Sequence, residues 1–197
     1  MTPSESEARD DVIGMPAAPV EDQQLVERLL RRDRKAAAEF VERYAGLISG
    51  YLRSRLWPRQ DLVDDLAQDV FMAAWERLEG FRAESSLKNW LLGIARHKVE
   101  DHYRAVLRAA NQEPDSEVTA DAESLHFEQS VDRERIERKM RSVLEDLPES
   151  YRAALLWRYW ENRSLREMAS STGRTEKAME RLLARARKQF RERWNDV

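Results

Sequence analysis

Residues Asn111 to Gln129, NQEPDSEVTADAESLHFEQ, carry six acids and a proline but no Lys or Arg, and show no helical apolar stripe until their end. Such a stretch reads as a linker, and it divides the chain into two blocks. From about Glu21 to Arg108 apolar residues recur at helical spacing, interrupted at RLWPRQD around Pro58 and at EGFRAESS around Gly80. That pattern predicts a bundle of three or four helices. The second block starts near Val131. It reads as a helix to about Asp146, a turn at LPES, a helix from Tyr151 to about Glu161, a helix from Leu165 to Ser171, a turn at Gly173 and a long helix from Thr175. The expected fold class is all-α. Two small helical domains, 21–108 and 131–197, are joined by an acidic flexible linker, 109–130, behind a disordered N-terminal extension, 1–20.

Composition supports this and removes several functions. Charged residues make up 36% of the chain and only six residues are glycine, as suits a helix-rich protein. With no cysteine, disulfides, thiol nucleophiles and Cys-ligated zinc or iron–sulfur sites are excluded. The N-terminus lacks an apolar signal core and no run of about 18 apolar residues occurs, so a cytoplasmic protein without membrane insertion is expected. There is no Ser/His/Asp grouping, phosphate loop or spaced ligand set, and hence no expected catalytic residue, metal or cofactor. His97 and His102, about 140° apart on one helix, do not share a face as metal ligands would.

The last helical segment concentrates positive charge. Ser164 to Trp194 holds nine Lys/Arg in a chain of net charge −3. At 100° per residue Met179, Leu182, Leu183, Ala186 and Phe190 share one stripe, with Lys177, Arg181, Arg185 and Lys188 opposite. A solvated basic face is the ordinary reading. The short helix before it, with Leu165, Met168 and Ala169 at packing spacing and Gly173 at the bend, has instead the layout of a helix-turn-helix, whose second helix enters a DNA major groove. Arg174 and Thr175 lie at that turn.

In the first block, Leu62, Leu66, Val70, Ala73 and Ala74 form a core stripe. Asp61, Asp64, Asp65 and Gln68 lie opposite with Met72 and Trp75 among them, followed by Asp69 and Phe71. Either another helix covers these aromatics, or apolar anchors among acids form a docking surface for a basic partner protein. A further helix opens at Ser85 or Ser86 as N-cap. Its core stripe is Leu87, Leu91, Ile94 and Ala95, while Asn89, Arg96 and Tyr103 align on the opposite face. Phe81 and Trp90, near Arg82, Lys88 and Arg96, offer rings for bases and cations for phosphates of a single strand; packing in the core is the alternative for both rings.

DDLAQDVFMAAWERLEGFRAESSLKNWLLGIARHKVEDHYR resembles the second region of bacterial extracytoplasmic-function (ECF) sigma factors. LEDLPESYRAALLWRYWENRSLREMASSTGRTEKAMERLLARARKQF resembles their fourth region. The two occur in the family's order, separated by a suitable linker. The resemblance implies a dissociable promoter-recognition subunit of RNA polymerase. Asp61, Asp64, Asp65, Gln68, Asp69, Phe71 and Trp75 would then bind the clamp helices of the largest core subunit. Phe81, Arg82, Ser85, Ser86, Lys88, Asn89, Trp90, Arg96, Tyr103 and Arg104 would read and hold open the minus-10 element. Arg174, Thr175, Lys177, Arg181, Arg185 and Lys188 would meet the minus-35 element, with the fourth region near the polymerase flap. The family also implies an anti-sigma factor that masks both domains. The family's recognition-helix pattern Val-Lys-Ser-Arg-Leu reads MERLL here, its Ile-Ala-Arg-Asn ends in His97, and Ala67 replaces valine in the acidic motif. The change in the recognition helix means that the family's minus-35 preference does not transfer. A two-domain helix-turn-helix regulator is the competing class, but the first block lacks the strand patterns of a receiver domain.

Overall fold

The computed structural model describes residues 18–110 and 133–196. The expected extension up to residue 17 and the expected linker from residue 111 lie outside them. Among the described residues all regular structure is helical: α1 (Val20–Leu30), α2 (Arg34–Leu56), α3 (Val63–Arg77), α4 (Leu87–Ala109), α5 (Arg133–Glu145), α6 (Glu149–Leu155), α7 (Leu165–Thr172) and α8 (Glu176–Asp196). Single 3-10 turns occupy Gln60–Leu62 and Leu78–Gly80. Helix α1 begins at Val20 with Ala18 already buried, and α4 runs through Ala109.

Local chemistry sets the helix ends. The Asp33 carboxylate accepts from the Lys35 and Ala36 N–H groups at 2.8 and 3.4 Å, satisfying donors that a helix start leaves unpaired. Ser86 does the same for α4, accepting from the Asn89 N–H at 3.3 Å. Helix α7 opens on a reciprocal capping box between Ser164 and Glu167. It closes at Gly173, whose φ of +72° glycine adopts without steric cost.

The expected stripe of α8 is buried in full. In α3 the buried face is Val63, Ala67, Val70, Ala73 and Ala74, and the expected stripe is corrected at its start, where Leu62 and Leu66 are only half-buried. The 3-10 turn delays the helix to Val63 and rotates the face that packs. Helix α6 ends in a wider π turn, in which the Glu161 N–H reaches back five residues to the Leu156 carbonyl at 3.0 Å. Trp157 is buried there while Tyr159 and Trp160 are exposed.

The two bundles pack against each other. Helix α4 meets α6 and α7, and the buried apolar residues form one continuous cluster. The cause lies in α4, whose buried residues Leu87, Leu91, Ala95, Val99, Tyr103 and Leu107 recur every four positions. Each step of four advances about 40° beyond a full turn, so the stripe winds around the helix. Its C-terminal half thus presents its apolar side to the second bundle.

Candidate functional site

On α3, Asp64, Asp65, Gln68 and Asp69 are exposed. Asp64 and Asp65 sit in the first turn, where the helix dipole favours negative charge, so part of this acidity serves the helix itself. The apolar residues argue for more. Met72 and Trp75, on the same stripe as Asp65 and Gln68, are 57% and 46% exposed, whereas Phe71 is half-buried, edge-on to Phe40 at 5.7 Å. Asp61 precedes the helix, and both its oxygens are bound by Arg59 at 2.7 to 3.1 Å, which holds its carboxyl below the usual carboxylate range.

The loop between α3 and α4 brings Phe81 and Trp90 together edge-to-face, 5.4 Å between centroids, both half-buried. Arg82, Lys88, Asn89 and Arg96 are exposed around them, and Ser85 is half-buried. Ser86 already caps α4. Arg104 pairs with Asp101 at 2.7 Å. Tyr103 requires a correction. Expected on an exposed face with Asn89 and Arg96, it is 2% exposed. Its ring lies nearly parallel to Trp157 at 6.1 Å and its hydroxyl donates to the Arg55 carbonyl. The winding stripe of α4 carries this position under the second bundle.

On the helix-turn-helix, Lys177, Arg181 and Lys188 are exposed and Arg185 is half-buried. The Thr175 hydroxyl accepts from the Ala178 N–H at 3.1 Å and so caps α8. Arg174 donates to the Leu107 carbonyl of α4 at 2.8 Å, which ties the turn to the first bundle.

Two family models match the chain: Sigma-70 region 2 over residues 40–108, and Sigma-70, region 4 over residues 137–190. The chain belongs to the sigma-70 family. It is 32% identical over 161 residues to the RNA polymerase sigma-H factor of Pseudomonas aeruginosa, covering 76% of this chain and 81% of that one. It is 30% identical over 159 residues to the ECF RNA polymerase sigma-E factor of Haemophilus influenzae, covering 75% and 82%. This sigma factor is of the ECF type. A solved structure of CnrH in complex with the cytosolic domain of CnrY is 27% identical, covers 87% of this chain and 95% of that one, and has a TM-score of 0.39.

Between regions 2 and 4 of this sigma factor runs a seam whose members sequence reasoning missed. Arg55 meets Glu161 at 3.2 Å, Arg59 meets Glu149 at 2.8 Å, and Arg163 pairs with Glu100. The partners are separated by 63 to 106 residues, and no local spacing announces them. His102 lies in a small cleft there with Arg59 from the α2–α3 connection and Glu149 and Arg152 from α6. Burial pushes its imidazole below 6.5, opposed by Glu149 and assisted by Arg59 and Arg152; Asp61 acts in the same sense as Glu149. The unfolded chain therefore binds this proton more readily than the folded one, and stability falls as pH drops below 6.5. Urea unfolding midpoints are expected to decline from pH 7.5 to 5.5, with a flatter profile for His102→Gln. Identical profiles would remove His102 as a source of the pH dependence.

Proposed function

We propose that this ECF sigma factor binds core RNA polymerase through the exposed side of α3, holds the opened minus-10 strand with the Phe81–Ser86 loop and the start of α4, and presents α8 to the minus-35 element. The observation that supports this is what each region leaves exposed: Met72 and Trp75 among acids on region 2, and a basic helix behind a glycine-closed turn on region 4. Any anti-sigma factor would find exposed apolar side chains on both regions, Met72 and Trp75 on one and Tyr159 and Trp160 on the other. Its place of work is the cytoplasm, with the polymerase; among the described residues no helix is long and apolar enough to cross a membrane.

The seam must open for this to happen. The two promoter elements lie about 25 base pairs apart, on the order of 80 Å of B-form DNA. A compact body of this size measures only about 40 Å across. The packed arrangement, which also engages Tyr103 and Arg174, is therefore a resting form that separates on polymerase.

The base-reading assignment is testable at Arg181, exposed on the outer side of α8. A bidentate arginine–guanine contact contributes about 1 to 3 kcal/mol of discrimination, whereas a phosphate contact weakens all sequences alike. With core polymerase, Arg181→Ala is expected to flatten the ranking of minus-35 variants in transcription by roughly tenfold, and Lys188→Ala to lower all of them evenly. A uniform loss for Arg181→Ala would reassign it to the backbone. No transcription by the wild-type chain with core on any genomic promoter would overturn the larger reading.

A further inference from the structure

Asp22, in the first turn of α1, is a buried charge that the surfaces above do not use; it is 7% exposed. Its two oxygens serve two other elements. Oδ1 accepts from the Tyr44 hydroxyl of α2 at 3.2 Å, and Oδ2 accepts from the Leu87 N–H that opens α4 at 2.8 Å. Together with the Ser86 hydroxyl on the Asn89 N–H, this satisfies two of the donors that the start of α4 leaves unpaired. A carboxylate there also suits the helix dipole.

The residues just ahead of Asp22 hold the loop itself. The Ala18 N–H donates to the Ala83 carbonyl at 2.8 Å, and the Gln23 side-chain amide donates to the Ala18 carbonyl at 3.0 Å. Ala83 has a φ of +57°, a left-handed conformation that a β-carbon disfavours and that persists only where surrounding contacts enforce it. The strap from Ala18 to Gln23 thus grips the Phe81–Ser86 loop at Ala83 and α4 at its first amide.

We infer that Asp22 is a positioning residue for strand opening: through this strap it pre-sets the loop that captures the minus-10 strand. The inference rests on the minus-10 reading proposed above. A loop ordered during folding does not have to be ordered again when DNA is captured, so its retention of the strand is stronger. Asp22 itself, buried beneath the loop, acts without touching DNA.

The test uses holoenzyme assembled from core polymerase and full-length variants, on a promoter fragment carrying 2-aminopurine in the minus-10 element and on the same fragment pre-melted there. Asp22→Ala is expected to slow opening of the duplex about tenfold. Asp22→Asn, which keeps one oxygen for two donors, is expected to slow it about threefold. Both are expected to transcribe the pre-melted template, and to bind core, within twofold of wild type. Should Asp22→Ala fail to fold, as judged by circular dichroism, the nearly isosteric Asn variant decides. Duplex opening within twofold of wild type by the folded variants, or an equal defect on the pre-melted template, overturns the inference. Arg82→Ala combined with Ser86→Ala separates the two readings. If that double variant opens promoters normally, the minus-10 role of the loop falls and the strap's role with it. If it is impaired while the Asp22 variants open normally, only the strap's role falls.

Discussion

Asp65→Arg is expected to lower affinity for core polymerase by about a hundredfold while leaving the helical circular dichroism unchanged. The position is exposed on α3, one face away from Val63, Ala67 and Val70, so no core contact is lost. Placing a cation where a basic partner surface is expected removes an attraction and adds a repulsion. Like-charge juxtaposition at an interface costs several kcal/mol, and each 1.4 kcal/mol is tenfold in affinity. The substitution also puts positive charge at the start of α3, against the dipole, but that contributes only about 0.3 to 1 kcal/mol at an exposed site. Partner repulsion therefore dominates. Titrating labelled core with the variant checks the expectation, and an affinity within threefold of wild type would remove this face from polymerase binding.

Reversing Glu100 is expected to open the seam. Arg163 and Glu100 have side chains only 30% and 17% exposed. Breaking the pair costs more than the ~1 kcal/mol of an exposed ion pair and less than the 3 to 5 kcal/mol of a fully buried one. About 2 kcal/mol shifts a closed-to-open ratio roughly thirtyfold. Glu100 also faces Arg96 at 3.9 Å, so Glu100→Arg meets two cations at once. Of the other polar and ring contacts across the seam, the Tyr103–Trp157 stack, the Arg55–Glu161 and Arg59–Glu149 pairs and the Arg174–Leu107 hydrogen bond are individually modest. The chain contains no cysteine, so Glu42→Cys and Glu192→Cys, both at exposed positions on different regions, accept a dye pair without background. Energy transfer should fall in Glu100→Arg and recover when Arg163→Glu is added. Transfer that is unchanged by the single reversal would show that this pair does not hold the regions together.

The helical class and most helix ends were legible in the residues alone, because these depend on interactions within a few residues. Ser86 caps α4, Gly173 closes α7, and the α8 stripe from Met179 to Phe190 packs as its spacing requires. The exposed cations of α8 and the acids of α3 were legible for the same reason: once the packed side of a helix is known, its outer side follows. Tyr103 was not legible. Its spacing from Asn89 and Arg96 is compatible with an exposed face, and only the arrival of Trp157, 54 positions later in the chain, makes it a buried one. Asp22 gave no local sign either, since an acid in the first turn of a helix is ordinary; its burial depends on Tyr44 and Leu87 converging on it from two other helices. Helical periodicity states which residues share a side. Which side is covered, and by what, is decided by contacts between segments far apart in the chain, and here only the tertiary structure supplies them.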